Sequence, residues 1–269
     1  MKLAKLHKVK PGTEVDLSSI DARDSGRIRS KDQANERRRL NIGRLNELQS
    51  RLYAENKRSL LVVLQGMDTA GKDGTIRHVM TGVNPQGCRV QPFKSPSSEE
   101  LDHDFLWRIH RAVPSRGTIG LFNRSHYEDV LIVRVHNLLP KEVWSKRYQQ
   151  INRFEENLVE SGTTILKFFI YISKKEQKER LQARLDNPEK TWKFNPADIE
   201  ERKKWDDYSK AYEAALTKCS TPWAPWYVIP SDRKWYRNLA VSEIIADELE
   251  SMDLKIPQPD FDPSDIVIE

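Results

Sequence analysis

The apolar positions of this chain fall into short continuous runs separated by stretches with helical spacing. Leu60–Leu64 is an unbroken run of apolar residues that leads straight into a glycine-containing turn. A short run bounded by turn residues suits a strand buried on both faces, whereas a half-exposed strand would alternate. Cys88–Phe93 follows an Asn-Pro-Gln-Gly turn as a second strand, and Thr118–Phe122 reads as a third. Thr163–Ile172 is the most β-like stretch in the chain, and Trp226–Ile229 is a fifth strand.

Helical patterns lie between these runs. Ala34–Asn56 places Leu45, Leu48 and Leu52 on one face, with Glu36–Arg39 (ERRR) read as a solvated basic face near its start. Ser97 and Glu100 have capping-box spacing and open a helix through His110. Pro140 opens a helix to about Glu160, Ser173 and Glu176 cap the next, and Lys234–Met252 closes the series. Strands alternating with helices of this length pair in parallel through right-handed crossovers, and ligands then bind beyond the strands' carboxyl ends. Residues 1–33 carry no periodicity and are expected to form an arm, partly ordered at best. A single domain is expected over 34–256, and the prolines in 257–269 mark a tail.

Composition narrows the class. The 269 residues are 38% hydrophobic and 32% charged, which reads as a soluble protein with a sizeable core. No apolar run has the length of a membrane span, and the first dozen residues lack the apolar core of a signal peptide. Cys88 and Cys219 form no spaced motif and read as buried free thiols in a reducing cytoplasm. The histidines show no metal-ligand spacing, and the net charge of +5 favours an anionic partner.

The chemistry begins at Gly66–Lys72, Gly-Met-Asp-Thr-Ala-Gly-Lys, which has the glycine spacing and lysine of a phosphate-binding P-loop between a strand and a helix. Gly66, Ala70, Gly71 and Gly74 let backbone N–H groups approach phosphate oxygens, the new helix aims its positive end there, and Lys72 adds a full charge. The residue after the lysine, ordinarily a Ser or Thr that holds Mg²⁺, is Asp73, and the nearest hydroxyl is Thr75. Asp68 adds a carboxylate inside the loop. Carboxylates repel phosphates unless a cation lies between, so Asp68 reads as organising Mg²⁺ or positioning the transfer; capping the helix start is its other reading.

A second constellation, Asn123–Asp129 (NRSHYED), follows the third strand directly. The strand-end position, where P-loop enzymes place a metal-holding acid, is Asn123, a neutral ligand. Arg124 stands where it can clamp phosphoryl oxygens, Asp129 is a candidate metal ligand, and Glu128 is either a site residue or the far end of a capping box from Ser125. The third constellation, Arg184–Tyr208, lies between two strands where kinases of this architecture carry a lid. Arg184, Lys190, Lys193 and Arg202 make it basic around Trp192. A closing basic loop excludes water from phosphoryl transfer, and the alternative is a charged helical hairpin.

With these pieces together, the sequence closely resembles the polyphosphate kinase 2 family. The matching segments are GMDTAGKDG (66–74), FNRSHYEDV (122–130), LDNPEKTWKF (185–194) with the following IEERKKWDDY, and TPWAPWYVIP (221–230); the resemblance spans roughly Ala34 to Met252. It implies a thymidylate-kinase-like P-loop kinase fold, a three-layer α/β/α sandwich of about five parallel strands with a helical lid. It also implies Mg²⁺ and phosphoryl transfer between inorganic polyphosphate and nucleotides, with Asp68, Lys72 and Arg124 at the catalytic centre and Arg184 binding phosphate. Many members carry FDRSWYNR where this chain has Asn123, His126, Glu128 and Asp129. The NRSHYED form is similar to the group that accepts both AMP and ADP, giving ADP and ATP. The departure at Asn123 shifts the expected metal role to Asp68 and Asp129, and the family resemblance implies a homo-oligomer, a tetramer. An ATP-dependent nucleoside monophosphate kinase is the rival enzyme reading; a non-catalytic polyanion binder ranks last, since no nucleic-acid-binding motif is present.

Overall fold

Each residue of Leu60–Leu64 is at most 1% exposed. Side chains of a strand alternate between faces, so helices must cover both sides of it. The structure, a computed structural model, describes residues 2–262, 265, 266 and 268. Its strands are β1 (Ser59–Gln65), β2 (Cys88–Pro92), β3 (Ile119–Asn123), β4 (Thr163–Tyr171) and β5 (Trp226–Pro230). They form one five-stranded sheet in the order β2-β3-β1-β4-β5, and every pairing is parallel. β1 is central, with Leu64 in register with Asn123 of β3 and with Phe168 of β4. The segments that follow β1 and β3 therefore emerge side by side at the carboxyl end of the sheet, where such folds bind ligands.

All five strands expected from the apolar runs are present, each within a residue of its expected bounds. The helix opened by Pro140 runs Lys141–Glu160, and the closing helix runs Lys234–Ser251. The region after Ser97 departs from expectation. Its capping box is present, but the single helix through His110 is two one-turn helices, Ser98–Leu101 and Trp107–His110. Asp104 Oδ1 accepts the Leu106 N–H at 2.9 Å, a local turn that competes with helical bonding and breaks the element.

The N-terminal segment also departs from an arm ordered only in part. Leu3, Val9, Leu17 and Ile28 are buried, the Val9 N–H donates to Trp226 O at 2.8 Å, and Lys8 bridges Tyr227 antiparallel. This covers the outer edge of β5, which would otherwise present unpaired backbone groups. The anchors are irregularly spaced and so left no periodic signal. A 25-residue helix, Lys31–Glu55, follows with Ser30 as its cap, and it packs along the closing helix. Among the described residues no helix is long and apolar enough to cross a membrane. Both cysteines are free; Cys219 is buried and Cys88 half-buried.

Candidate active site

The strand–loop–helix passage from β1 into Lys72–Val79 forms the loop expected to cradle phosphate. Gly66 sits so close to β4 that a Cβ there would lie 2.6 Å from Ile170 O, and Gly71 has φ +105°, which L side chains rarely adopt. Thr69 and Arg124, one on each of the two loops, are non-glycine residues with φ of 63° and 65°. Such strain gathers where surrounding contacts over-determine a functional geometry. Lys72 is 9% exposed, and its Nζ donates to Gly66 O at 2.7 Å and Met67 O at 3.3 Å. Burial, together with the neighbouring Arg124, lowers its pKa to about 8 against the opposing pull of Asp68, Glu128 and Asp73.

Arg124 leaves the end of β3 with its backbone N–H bonded to Leu64 O of β1 at 3.0 Å. Its guanidinium lies between two carboxylates, donating to Asp68 Oδ1 at 2.7 Å and to Glu128 Oε2 at 3.3 Å. Burial pulls its pKa down, but Glu128 and Asp68 outweigh that and leave it above the ordinary arginine value. Gly66, Asp68, Arg124, Glu128, Arg202 and Tyr212 share the walls of one cleft. The two loops singled out in the sequence thus meet as a cation flanked by acids beside a buried lysine.

The segment carrying Arg124 is held from below. His126 and Tyr127 are fully buried, and the Tyr127 hydroxyl donates to Glu155 Oε1 at 2.9 Å. Lys167 of β4 reaches the same Glu155, the Tyr127 hydroxyl at 2.9 Å and Cys219 O at 2.7 Å. With both charges at 0% side-chain exposure, this network ties the loop after β3 to the Lys141–Glu160 helix and to the sheet.

Other expected site residues are placed differently. Asp129 is turned to Arg147, with Nη1 at 2.6 Å from Oδ1, and burial raises its pKa to about 6 against the pull of Arg147 and Arg108. Asp68 and Glu128 share the Arg124 guanidinium, whereas Asp129, expected as a second metal ligand, is engaged by Arg147. Thr75 is buried, and its hydroxyl donates to Gly71 O at 3.0 Å, inside the helix rather than toward the cleft. Asn123 Nδ2 donates to Asp73, which joins the two loops through neutral and acidic side chains.

In the Arg184–Tyr208 segment, Arg202 donates to Lys174 O and Gln177 Oε1, both at 2.8 Å, and Gln177 Nε2 donates to Asp68 O at 3.0 Å. Arg184 lies 3.5 Å from Asp198 and donates to Lys193 O at 3.3 Å. The Lys193 ammonium sits 4.9 Å from the centre of the exposed Trp192 ring. Gln177, Tyr208 and Tyr212 enter the cleft unforeseen; Tyr208 and Tyr212, four apart on the Trp205–Cys219 helix, share a face that helical spacing could have revealed.

The oxygen donors fit Mg²⁺. That ion binds through one or two carboxylates and completes its shell with phosphates and water. Asp68 and Glu128 supply such a pair in the cleft, and among the described residues no three His, Cys, Asp or Glu side chains form a ready-made cage.

The family model described as "Polyphosphate kinase 2 (PPK2)" matches residues 28–257. An AMP/ADP-polyphosphate phosphotransferase of Meiothermus ruber is 52% identical over 98% of this chain and 100% of its own length. An ADP-polyphosphate phosphotransferase of Rhodopseudomonas palustris is 47% identical over 94% of this chain and 92% of its own. The crystal structure of polyphosphate kinase 2 from Arthrobacter aurescens TC1 superposes with a TM-score of 0.95 at 44% identity, covering 98% of this chain and 95% of that one. The chain therefore belongs to the polyphosphate kinase 2 family of phosphotransferases.

Proposed function

We propose that this protein transfers a phosphoryl group from inorganic polyphosphate to AMP and to ADP, with Mg²⁺ bound at Asp68 and Glu128. The observation that carries the reading is Arg124 held between Asp68 and Glu128 at the mouth of the P-loop, in a chain similar along its length to an AMP/ADP-polyphosphate phosphotransferase. The reading includes a cytoplasmic homo-oligomer, a tetramer, which light scattering would test.

In the mechanism, the P-loop N–H groups and the start of the Lys72–Val79 helix hold the terminal phosphoryl group of polyphosphate. Lys72 neutralises its oxygens, and Arg124 exchanges part of its contact with the acids for the phosphoryl oxygens. Asp68 and Glu128 would hold Mg²⁺, which would supply charge neutralisation to the transfer. The acceptor's phosphate oxygen attacks in line and is already largely ionised near pH 7, because a second phosphate pKa lies at about 6. A strong general base is therefore unnecessary, and Asp68 serves geometry and charge. Arg184, Lys193 and Arg202 approach from the lid to exclude water and hold the rest of the polyanion.

The test is product analysis with polyphosphate and Mg²⁺, offering AMP and ADP separately, for the wild type and Asp68→Asn. Wild type should yield ADP and then ATP from AMP. The variant should lose about 10²-fold or more in kcat while nucleotide affinity changes by less than about threefold. Turnover with ATP as the donor and none with polyphosphate would overturn the reading.

A further inference from the structure

Two guanidinium groups grip the P-loop outside the cleft. Arg180, on the helix Lys174–Leu185, donates to Thr69 O at 3.0 Å and to Ala70 O at 2.8 Å. Arg237, in the first turns of the closing helix, donates to the same Ala70 O at 3.1 Å and to Asn238 Oδ1 at 3.1 and 2.9 Å. Their charges are balanced differently. Arg180 is paired with Glu176 at 2.8 Å. Arg237 is only 3% exposed, and its hydrogen-bond partners are neutral oxygens. Burying a cation without a counter-charge costs several kcal/mol. Burial and the nearby Arg180 lower its pKa to about 9, which leaves it charged at neutral pH.

That cost falls at a particular place. In a trans peptide the carbonyl and the following N–H point opposite ways, so two donors holding the Ala70 carbonyl turn the Gly71 N–H away from them. A polarised carbonyl also strengthens the N–H of its own peptide as a donor. The fit leaves no slack: a Cβ on Gly71 would come within 2.0 Å of Arg237 Nη1, and one on Gly74 within 3.4 Å of Nη2. A cation without a carboxylate partner, packed against the glycines of an anion-binding loop, is complete when an anion occupies that loop.

We propose that Arg237 is a positioning residue for phosphoryl transfer: through the Ala70 carbonyl it aims the Gly71 N–H at the bound phosphoryl group, and its uncompensated charge holds the phosphate anion. This deepens the proposed function and rests on it for the identity of the donor, while its anion-binding part stands on the loop alone. Arg180, with its own carboxylate, is the neutral brace of the pair.

The test compares wild type, Arg237→Met and Arg237→Lys by thermal melting, calorimetric binding of inorganic tripolyphosphate, and turnover of AMP with polyphosphate. Arg237→Met removes a costly buried charge, so the free protein should melt within about 2 °C of wild type or above it. Its tripolyphosphate affinity should fall about tenfold and its kcat about 10²-fold, with KM for AMP changed by less than about threefold. Arg237→Lys keeps the charge without the planar fork and should recover most of the affinity and part of kcat. Wild-type affinity and kcat in Arg237→Met would overturn the proposal. So would a joint fall in melting temperature and activity in both variants, which marks a merely structural role. Should Arg237→Met fail to fold, Arg237→Lys decides alone: it must fold and bind tripolyphosphate while losing kcat, and unimpaired kcat overturns the proposal. Wild-type protein that binds tripolyphosphate yet fails to phosphorylate AMP from polyphosphate would reject the donor assignment, and the affinity comparison would still judge the role of Arg237.

Discussion

Replacing Lys167 by Met should destabilise the core beneath the candidate active site. The Lys167 ammonium and the Glu155 carboxylate are paired at 0% side-chain exposure. The ammonium also donates to the Tyr127 hydroxyl and to Cys219 O, at 2.9 and 2.7 Å. Burial pushes the Glu155 pKa up, but Lys167 and His126 outweigh it and hold the carboxylate below its usual range. Methionine matches the lysine stem and fills the space, so the loss is almost wholly electrostatic. Removing one partner of a buried pair costs about 3–5 kcal/mol, because the other charge is left uncompensated. For a chain of this size that corresponds to a fall of about 6–15 °C in melting temperature. The decisive control is the double variant Lys167→Met/Glu155→Leu. It removes both charges and leaves the Tyr127 hydroxyl and His126 Nε2 without their Glu155 partner, a residual cost of about 1–3 kcal/mol for each group. The assay is thermal melting at neutral pH for both single variants and the double, read as a double-mutant cycle. A loss below about 1 kcal/mol in Lys167→Met, or a double variant as unstable as the sum of the singles, would refute the electrostatic account.

Two further outcomes follow from the P-loop. The Lys72 pKa, lowered to about 8, implies that the free enzyme loses this charge as pH rises through that value, so metal-free tripolyphosphate affinity should weaken above it. Because the shift is downward, the protonated ammonium weighs against folding below pH 8 and that cost eases as pH rises. Asp68→Asn, which removes a carboxylate that raises the Lys72 pKa, should move the break to lower pH, and affinity that stays flat to about pH 9.5 would refute the assignment. Gly71→Ala places a Cβ 2.0 Å from Arg237 Nη1 at φ +105°, and it should cost more than about 2 kcal/mol and most of kcat. Melting within about 1 °C of wild type with kcat retained would show that the loop has room the geometry denies.

The chain's local signals accounted for the sheet and for the strand–loop–helix passage at Gly66–Lys72. Leu60–Leu64, the glycines at 66 and 71 and Lys72 lie within a dozen residues, so strand burial, loop conformation and helix start were all written in one stretch. Arg124 was legible too, because a residue directly after a parallel strand emerges beside the P-loop whatever the rest does. Tertiary structure decided the direction of side chains and the partners brought from afar. Glu128 and Asp129 are neighbours on one turn, where successive side chains point about 100–120° apart. Arg147, from a helix 18 residues on, takes Asp129, and the other acid is left for the cleft. The N-terminal anchors, the Glu155–Lys167 pair under His126 and Tyr127, and the guanidinium of Arg237 at Ala70 join residues 12 to 219 positions apart. Periodicity and spacing describe what a residue's near neighbours impose, and these contacts exist only once the sheet and its helices have closed around them.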